Sequence, residues 1–302
     1  MTHRGSWLLF AMAALLLMPF LVPIPGELER MRGLRSLGVL AHFFLPAILT
    51  IVLYRRGRWR GSILGAATVA FVLSAGSELL QIFVGRHPRL PDALVDLAGV
   101  VTACGWLLRG ERRAGLARLV LLLGMAVLLI KLHALPGFFL AEWQVQRRFP
   151  LIADFESGIE MGIWGHNEKG HGRYDRWIGP TDDSIVLRLR AAEHHEHPGI
   201  LARGLPRDWR GYGTLRFRAR GFEGTPARIV VRLDDFSGRK DGVSVQIGFR
   251  LETGWKDFRV DLDSLASTAS RPFRLDDIDS LLLYLNDVNG NVTVLIDDIV
   301  LE

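Results

Sequence analysis

The chain has 302 residues, 49% of them hydrophobic, with a formal net charge of +5 and a pI near 9.8. Residues 1–150 hold 17 Lys and Arg against 7 Asp and Glu, whereas residues 151–302 hold 20 against 25. Because the excess arginines lie between apolar runs, the pattern excludes a nucleic-acid-binding stripe and is typical of membrane-protein loops. The single cysteine, Cys104, excludes an intrachain disulfide and a Cys-rich zinc site.

The first half contains apolar runs of the length that a bilayer requires, which is about 20 residues for a helix. The first run follows Arg4 as a signal peptide would, but no small-x-small cleavage site follows it, so we interpret it as a retained helix. The pattern predicts an all-α transmembrane bundle of about five spans, near residues 7–24, 37–54, 63–84, 93–108 and 116–135.

Arginine placement predicts the orientation of these spans. Nine arginines lie before the first run or in the second and fourth connections, and five lie in the first and third connections. Positive residues favour the cytoplasmic side, so the amino terminus is predicted in the cytoplasm and everything after residue 135 outside it. Residues 136–150 begin with Pro136-Gly137 and carry Trp143; they form either an interfacial aromatic segment at the outer headgroups or an ordinary linker.

The pattern changes to period two after Pro150. Segments such as SIVLRLRA, TLRFRARG and VSVQIGFRL alternate apolar and polar residues, and turn-forming stretches separate them. Many short strands of this kind predict an all-β antiparallel sandwich or jelly roll. In one of these strands the alternation places Leu215, Phe217 and Ala219 in the core and Arg216, Arg218 and Arg220 in water.

Several polar side chains interrupt the third and fourth apolar runs. Glu78 and Gln81 share one helix face, and Asp92 and Asp96 share one face of the next helix, with Gly99 allowing close packing. The connection between the two helices is short, so they are antiparallel neighbours. The sequence therefore predicts one polar cluster near the outer leaflet, formed by Glu78, Gln81, Arg86, Asp92 and Asp96.

The order Glu78-x-x-Gln81, Arg86, Asp92, Gly99 resembles the signature of the VanZ-like membrane family, named after a protein associated with resistance to a glycopeptide antibiotic. The resemblance covers residues 7–135. This chain departs from the family in carrying Asp96 where asparagine is usual, which favours a cationic ligand over an anionic one.

Two interpretations of the cluster stay open. In one, the cluster binds an envelope lipid or glycan precursor, with Arg86 on a phosphate and a carboxylate as acid or base. In the other it is a clamp between helices, in which Arg86 pairs with Asp92 and Gln81 bonds Glu78 or Asp96. His42, in the second run, either joins the cluster or packs between helices.

The second half resembles a galactose-binding-like or carbohydrate-binding-module jelly roll. The resemblance rests on the opening IADFESG, the segment WRGYGTLRFRARG, the Gly254-Trp255 turn and the closing IDDI. It implies a domain that binds glycans without cutting them. It also implies a structural calcium held by Asp154, Glu156 and Asp297, since calcium prefers carboxylate oxygens. Alternatively, these carboxylates cap turns.

Aromatic residues in turn-rich stretches are the candidates for stacking on sugar rings. The alternative for each of them is a role in the core or as a loop anchor, since Trp is often largely buried. Residues 193–197, with the sequence EHHEH, form either a transition-metal site or a solvated loop. The candidate glycan-binding residues are Trp164, Tyr174, Trp177, Trp209 and Tyr212.

These patterns together predict a multi-domain protein of the plasma or inner membrane. Its parts are a VanZ-like transmembrane domain over residues 1–135, an interfacial linker over 136–150 and an extracytoplasmic β-sandwich over 151–302. We expect it to engage a cell-surface polysaccharide or lipid-linked glycan precursor, without a nucleic-acid partner. No nucleophile-base set is visible, which argues against an enzyme. The alternatives are a membrane enzyme acting on a lipid-linked glycan or lipid phosphate, and a scaffold whose sandwich binds a protein.

Overall fold

A computed structural model describes residues 38–56, 61–80, 82, 90–110, 114–166, 172–179, 184–192, 197–224, 228–235 and 244–302. The chain divides into two compact units, with the boundary between Leu135 and Pro136. The first unit is helical, and the second consists mainly of antiparallel β-sheets. The order predicted from the sequence, helices followed by antiparallel strands, is therefore confirmed.

The first unit contains four described helices: α1 (Gly38–Arg56), α2 (Ile63–Leu80), α3 (Leu90–Leu108) and α4 (Ala114–Leu132). Within the described residues, three helical segments are long and apolar enough to cross a membrane, judged by length and composition alone: Gly38–Arg56, Leu90–Leu108 and Gly115–Arg148. The stretch Ile63–Ser77 is apolar but shorter. The predicted first span, residues 7–24, lies outside the described residues, and the crossing of a membrane stays a prediction.

Glycines allow the helices of the first unit to pack closely. A side chain at Gly99 of α3 would overlap the backbone oxygen of Phe43 in α1, and one at Gly124 of α4 would overlap the Thr102 hydroxyl of α3. Small residues serve the same purpose in membrane-helix packing. The sequence placed Gly99 at a close helix contact, and the structure shows that the helix it contacts there is α1.

The second unit begins with α5 (Leu135–Arg148), which packs Ala141 and Val145 against the sandwich core. The residues of the predicted linker thus form a helix on the sandwich. A short 3₁₀ helix spans Gly158–Gly162 and α6 spans Leu262–Ser267. The strands are β1 (Leu151–Ala153), β2 (Trp164–His166), β3 (Arg173–Ile178), β4 (Ile185–Ala191), β5 (Gly199–Arg203), β6 (Thr214–Glu223), β7 (Arg228–Asp235), β8 (Val245–Arg250), β9 (Lys256–Asp261), β10 (Ile278–Asn286) and β11 (Val292–Leu301).

These strands form two sheets in which every described pairing is antiparallel. The six-stranded sheet has the order β3-β4-β11-β6-β9, with β1 also paired to β11, and the five-stranded sheet has the order β2-β5-β10-β7-β8. The inner faces of both sheets supply one apolar core. Leu215, Phe217 and Ala219 are fully buried there, as the alternation predicts.

Strand β10 lies in the middle of the five-stranded sheet and is buried on both faces. Leu281, Leu283 and Leu285 enter the core between the sheets. The alternate positions, Leu282 and Tyr284, lie on the outer face of the sheet. This outer face therefore has an apolar centre, in which Leu282 and Tyr284 are only 6% and 9% exposed.

Candidate functional site

The polar cluster predicted in the first unit is only partly described. Gln81 and Arg86 lie outside the described residues, and Glu78 is described only as a backbone position in α2. Asp92 is half-buried in the first turn of α3. Whether these side chains converge stays a prediction.

Asp96 is the member of that cluster whose surroundings are best described. It is fully buried in α3, and its Oδ1 lies 3.1 Å from Nδ1 of His42 in α1. Its Oδ2 is buried without a hydrogen-bond partner among the described residues. Of the two alternatives for His42, the structure therefore favours a polar contact to the predicted cluster over simple packing.

The carboxylates predicted to hold calcium make separate contacts. Arg148, at the end of α5, donates to both oxygens of Asp154 and also to Glu160. The carboxylate of Glu156 instead accepts the backbone N–H of Ile185 at 3.0 Å. Among the described residues, no group of three or more His, Cys, Asp or Glu side chains is arranged to hold a metal ion. With Arg148 on Asp154, the predicted ligand set does not fit calcium in this arrangement, and the calcium site stays a prediction.

Glu160 is a buried carboxylate at the contact between α5 and the sandwich. Only 1% of it is exposed, and its Oε2 accepts the backbone N–H groups of Asp154 and Phe155 at 3.2 and 3.0 Å. Burial, reinforced by the charge of Asp154, raises the pKa of Glu160 to about 7. Burial also raises the pKa of Asp154, yet the hydrogen bond and the charge of Arg148 outweigh it and leave the pKa of Asp154 below the ordinary value.

Asp297 is the third predicted calcium ligand, and it is buried at the irregular part of β11. Burial, together with the neighbouring charge of Asp298, raises the pKa of Asp297 to about 7. Its Oδ1 accepts the backbone N–H of Asp298 at 2.9 Å. Asp298 has a left-handed backbone, with φ of 50°, and pairs with Arg218 at 3.3 Å. Arg218 thus neutralises Asp298 and leaves Asp297 as a weakly compensated buried acid.

Of the two alternatives for the candidate aromatic rings, the structure favours a role in the core for Trp164 and Trp209. Trp164 begins β2 and is 2% exposed, while Trp209 is fully buried and donates its indole N–H to a backbone carbonyl at 2.8 Å. Tyr174 is half-buried and donates its hydroxyl to the backbone of Trp164 at 3.2 Å. Tyr212 packs edge-on against Phe149 at 5.3 Å. Burial makes Trp164 and Trp209 anchors of the fold, whereas Tyr174 and Tyr212 are half-buried, and their part in glycan binding stays a prediction.

Trp177 is the candidate ring that lies on an outer sheet face. On the six-stranded sheet it packs against Phe222 at 5.1 Å and carries the guanidinium of Arg188 at the same distance. Arg220 lies over both Phe222 and Trp255, at 5.3 and 5.6 Å. Rings and guanidinium groups on this face are therefore already stacked on one another.

The outer face of the five-stranded sheet is built differently. Its apolar centre consists of Leu201, Val230, Leu282 and Tyr284, contributed by β5, β7 and β10. The hydroxyl of Tyr284 donates to Oε1 of exposed Gln246 on β8 at 2.9 Å. The amide nitrogen of Gln246 has no hydrogen-bond partner among the described residues and faces outward as a donor.

Polar residues surround this apolar centre. On one side Asp234 is held internally, by Ser280 at 3.1 Å and Arg232 at 2.8 Å. On the other side Asn286 of β10 is the cross-strand neighbour of Arg228 in β7, which is paired in turn with Arg250 in β8. The side chain of half-buried Asn286 makes no hydrogen bond within the described part of the chain. We call the apolar centre together with Gln246, Asn286, Arg228 and Arg250 the outer-face platform.

Two glycines leave space on the outer face of the sheet for neighbouring side chains. A Cβ at Gly248 would lie 3.2 Å from Nη2 of Arg228, so the guanidinium occupies the space above this glycine. Gly199 leaves room in the same way for Tyr284, whose Cβ would lie 2.5 Å from an added Cβ. His197 then places its ring edge-on to Tyr284 at 5.2 Å. The rest of the predicted metal loop, residues 193–196, lies outside the described residues.

No protein-family model matches the chain, and no curated protein matches it. Among solved structures, the chain is similar to an exo-β-agarase at 16% identity and a TM-score of 0.42, over 50% of this chain and 24% of the agarase. It is similar to a family 11 carbohydrate-binding module from Clostridium thermocellum, solved in complex with a β-1,3-1,4-mixed-linked tetrasaccharide, at 15% identity and a TM-score of 0.37, over 50% of this chain and 93% of that one.

A family 30 carbohydrate-binding module of a cellulosomal cellulase of Clostridium thermocellum is 17% identical, with a TM-score of 0.35, over 46% of this chain and 91% of that one. At these identities and TM-scores the likenesses carry no argument about function. The chemistry of the two outer sheet faces, described above, is what bears on the activity of this chain.

Proposed function

We propose that the chain is an integral membrane protein whose sandwich binds a cell-surface polysaccharide or a lipid-linked glycan precursor, without cutting it. The observation that carries the proposal is the outer-face platform, where an apolar centre on the five-stranded sheet adjoins amide groups without a partner among the described residues, namely the nitrogen of Gln246 and the side chain of Asn286. Gln246 and Asn286 supply amide groups, and Tyr284 supplies the aromatic part of the centre.

This combination matches the two surfaces of a sugar ring. A pyranose presents C–H groups on its faces and hydroxyl groups around its edge. The C–H groups are best placed on an apolar surface, and the hydroxyls need donors and acceptors at its border. Because Tyr284 is held by both Gln246 and His197, the centre is ordered before a ligand arrives, which lowers the entropic cost of binding.

The six-stranded sheet is the weaker candidate for the glycan site. Its rings, half-buried Trp177 among them, are already covered by guanidinium groups, and a sugar would have to displace these cation–π contacts. Trp177 is nevertheless the residue to test on this face: if the platform is not the glycan site, replacing Trp177 should abolish binding.

The membrane part of the proposal rests on the apolar helices and on the arginine bias. Three described segments have the length and composition of membrane spans. With the amino terminus in the cytoplasm, the sandwich is extracytoplasmic. A reporter that is active only outside the cytoplasm, fused after Glu302, should be active. An inactive reporter there, with an active one at Arg58, would reverse the orientation. The resemblance of residues 7–135 to the VanZ-like family stays a hypothesis.

Glycan binding is tested with the full-length protein in lipid nanodiscs, applied to an array of bacterial polysaccharides. Changing Gln246→Ala together with Asn286→Ala should weaken retention of the bound glycan about thirtyfold, since two hydrogen bonds of about 1 kcal/mol each are lost. Gln246 is exposed, Asn286 is half-buried, and neither side chain belongs to the apolar core, so the melting temperature should stay unchanged.

The matched control is Trp177→Ala, which should leave retention intact. If Trp177→Ala abolishes retention while the platform variant does not, the site belongs to the six-stranded sheet. Failure of the wild-type protein to retain any glycan would reject the binding function.

A further inference from the structure

We infer that the ligand of the outer-face platform is an acidic glycan, one whose sugar units carry carboxylate or phosphate groups, and that Arg228 and Arg250 bind those groups. The inference rests on the proposed function, because it names the chemical class of the glycan. It is carried by the placement of these two arginines in the five-stranded sheet.

Arg228 and Arg250 lie directly opposite each other on β7 and β8, and both are exposed. Directly opposed residues in an antiparallel pair have Cα atoms only about 4.5–5.5 Å apart, and like charges at such positions are destabilising. Among the described residues neither arginine forms an ion pair. The acidic residue nearest along the strand, Glu252, is bound by Lys256 at 2.6 Å; this bond and, to a smaller degree, the charge of Arg250 lower the pKa of Glu252.

On the six-stranded sheet, neighbouring arginines are paired with a carboxylate. Arg216 and Arg259 are also direct cross-strand partners, but Glu302 lies within reach of both, at 2.6 and 3.8 Å. Arg188 and Arg190 share Asp175 in the same manner, at 2.6 and 3.4 Å. On that sheet, a carboxylate of the chain itself thus offsets the repulsion between neighbouring arginines.

Within the described part of the chain no carboxylate bridges the pair on β7 and β8, which has the geometry to accept one from outside. A guanidinium group presents a planar fork of N–H donors that matches carboxylate and phosphate oxygens. The Arg228 guanidinium is held over Gly248, where a larger residue would push it away. An anion placed between the two arginines would offset their repulsion, as Glu302 does for Arg216 and Arg259.

The same face holds little acid that could neutralise the pair. Asp234 is on this face, but it is bound by Arg232 and Ser280 on the far side of the apolar centre. On this face Tyr284 lies one row of residues from Arg228 and Arg250, and Gln246 lies two rows from them. A single glycan chain can therefore place a sugar face on the apolar centre and the acidic group of that unit, or of its neighbour, on the arginine pair.

The test uses the full-length protein in nanodiscs of uncharged phosphatidylcholine. The immobilised probes are polygalacturonate, alginate and a phosphomannan, each beside its neutral form made by carboxyl reduction or dephosphorylation. We expect at least one acidic polymer to be retained more strongly than its neutral form, and retention to fall as salt is raised. Arg228→Gln with Arg250→Gln should reduce this retention about tenfold or more, because charge-assisted hydrogen bonds are lost.

The charge-matched control is Arg216→Gln with Arg259→Gln, which removes the same charge from the other sheet and should leave retention unchanged. The platform variant should melt no lower than the wild type, since it relieves a like-charge contact. If it nevertheless fails to fold, Arg228→Lys with Arg250→Lys keeps the charge, loses the planar fork and should retain the polymer only partially.

Equal retention of acidic and neutral polymers, unaffected by the platform variant, would overturn the acidic assignment and leave the glycan-binding function standing. Equal losses in both arginine variants would show a general charge effect and would also overturn it. Binding to anionic phospholipid vesicles but to no polymer would assign the pair to lipid. Retention of no polymer in any form, with no vesicle binding, would reject the proposed function itself.

Discussion

Replacing Asp297 by asparagine should stabilise the sandwich, and more so as the pH rises. The carboxylate lies in β11, is 5% exposed and has a pKa raised from 3.8 to about 7 by burial and by the charge of Asp298. An acid whose pKa is higher in the folded state holds its proton there after the unfolded chain has released it. The folded state therefore loses stability as the pH rises from 3.8 to about 7.

The size of this loss follows from the two pKa values. Each pKa unit corresponds to about 1.4 kcal/mol, so the cost is about 4 kcal/mol above pH 7 and about 1–2 kcal/mol at pH 5. Asparagine is uncharged at every pH, and its oxygen can still accept the N–H of Asp298. Asp297→Asn should thus raise the melting temperature by about 10 °C at pH 8, and by only a few degrees at pH 5.

Tryptophan fluorescence is a suitable assay, because five of the eight tryptophans, including buried Trp164 and Trp209, belong to the second unit. Melting curves of wild type, Asp297→Asn and the exposed control Asp257→Asn would be recorded from pH 5 to pH 8. The reasoning fails if Asp297→Asn melts lower than the wild type at pH 8, or if its melting temperature depends on pH as steeply as that of the wild type. The first result would mean that an unseen cation stabilises the ionised carboxylate.

Three further predictions concern the contacts of α5 with the sandwich, the metal and the helix packing. Arg148→Met should lower the free energy of unfolding by about 3 kcal/mol at pH 8 and by less at pH 5, because Glu160 is protonated there. The same melting curves measure this, and an equal loss in Arg147→Met would contradict it. Calcium or EDTA should not shift the wild-type melting temperature; a rise with calcium that Asp297→Asn removes would restore the calcium site. Gly99→Leu should prevent stable assembly of α1 with α3, measured by detergent-resistant folding, whereas Gly76→Leu, at an open position, should be tolerated.

The strands of the second half could be predicted because the alternation of apolar and polar residues in each strand indicates which of its side chains are buried. The alternation in TLRFRARG places Leu215, Phe217 and Ala219 inside, and the core contains all three. Local sequence is enough for this, since a strand in which one face is buried repeats every two residues. The helical first half could be predicted for a similar reason, from the length of its apolar runs.

The aromatic residues could not be placed from the sequence, because their exposure depends on packing between distant segments. Trp209 follows a turn-rich stretch, yet it is covered completely by the core, and its indole N–H is satisfied within the loop itself. Trp164 is buried where β2 pairs with β5. A short loop with a tryptophan is therefore compatible with either role, and the sequence contains nothing local that decides between them.

The outer-face platform was missed for a related reason. Its members come from β5, β7, β8 and β10, which are joined only by the sheet order. One signal was present in the sequence: the segment LLLYL of β10 is apolar at every position, which indicates a strand buried on both faces. For the central strand of a two-layer sandwich, such a run requires something apolar on the outer face as well.

The two outer faces of the sandwich show how fold and function can be separated in this protein. On the six-stranded sheet, arginines meet carboxylates and rings that the chain itself supplies, so this face is complete without a ligand. On the five-stranded sheet, Arg228 and Arg250 oppose each other, and neither forms an ion pair with any other residue that the structure describes. A like-charge pair costs stability, and a residue pattern that breaks a local rule without internal compensation is typical of a functional site. Removing the pair should therefore strengthen the fold while it weakens binding, whereas removing Arg216 and Arg259 should do neither. If Arg228 and Arg250 are placed to bind a ligand, replacing them raises the stability of the fold and lowers the affinity for the glycan. If they serve folding alone, replacing them lowers both quantities or changes neither.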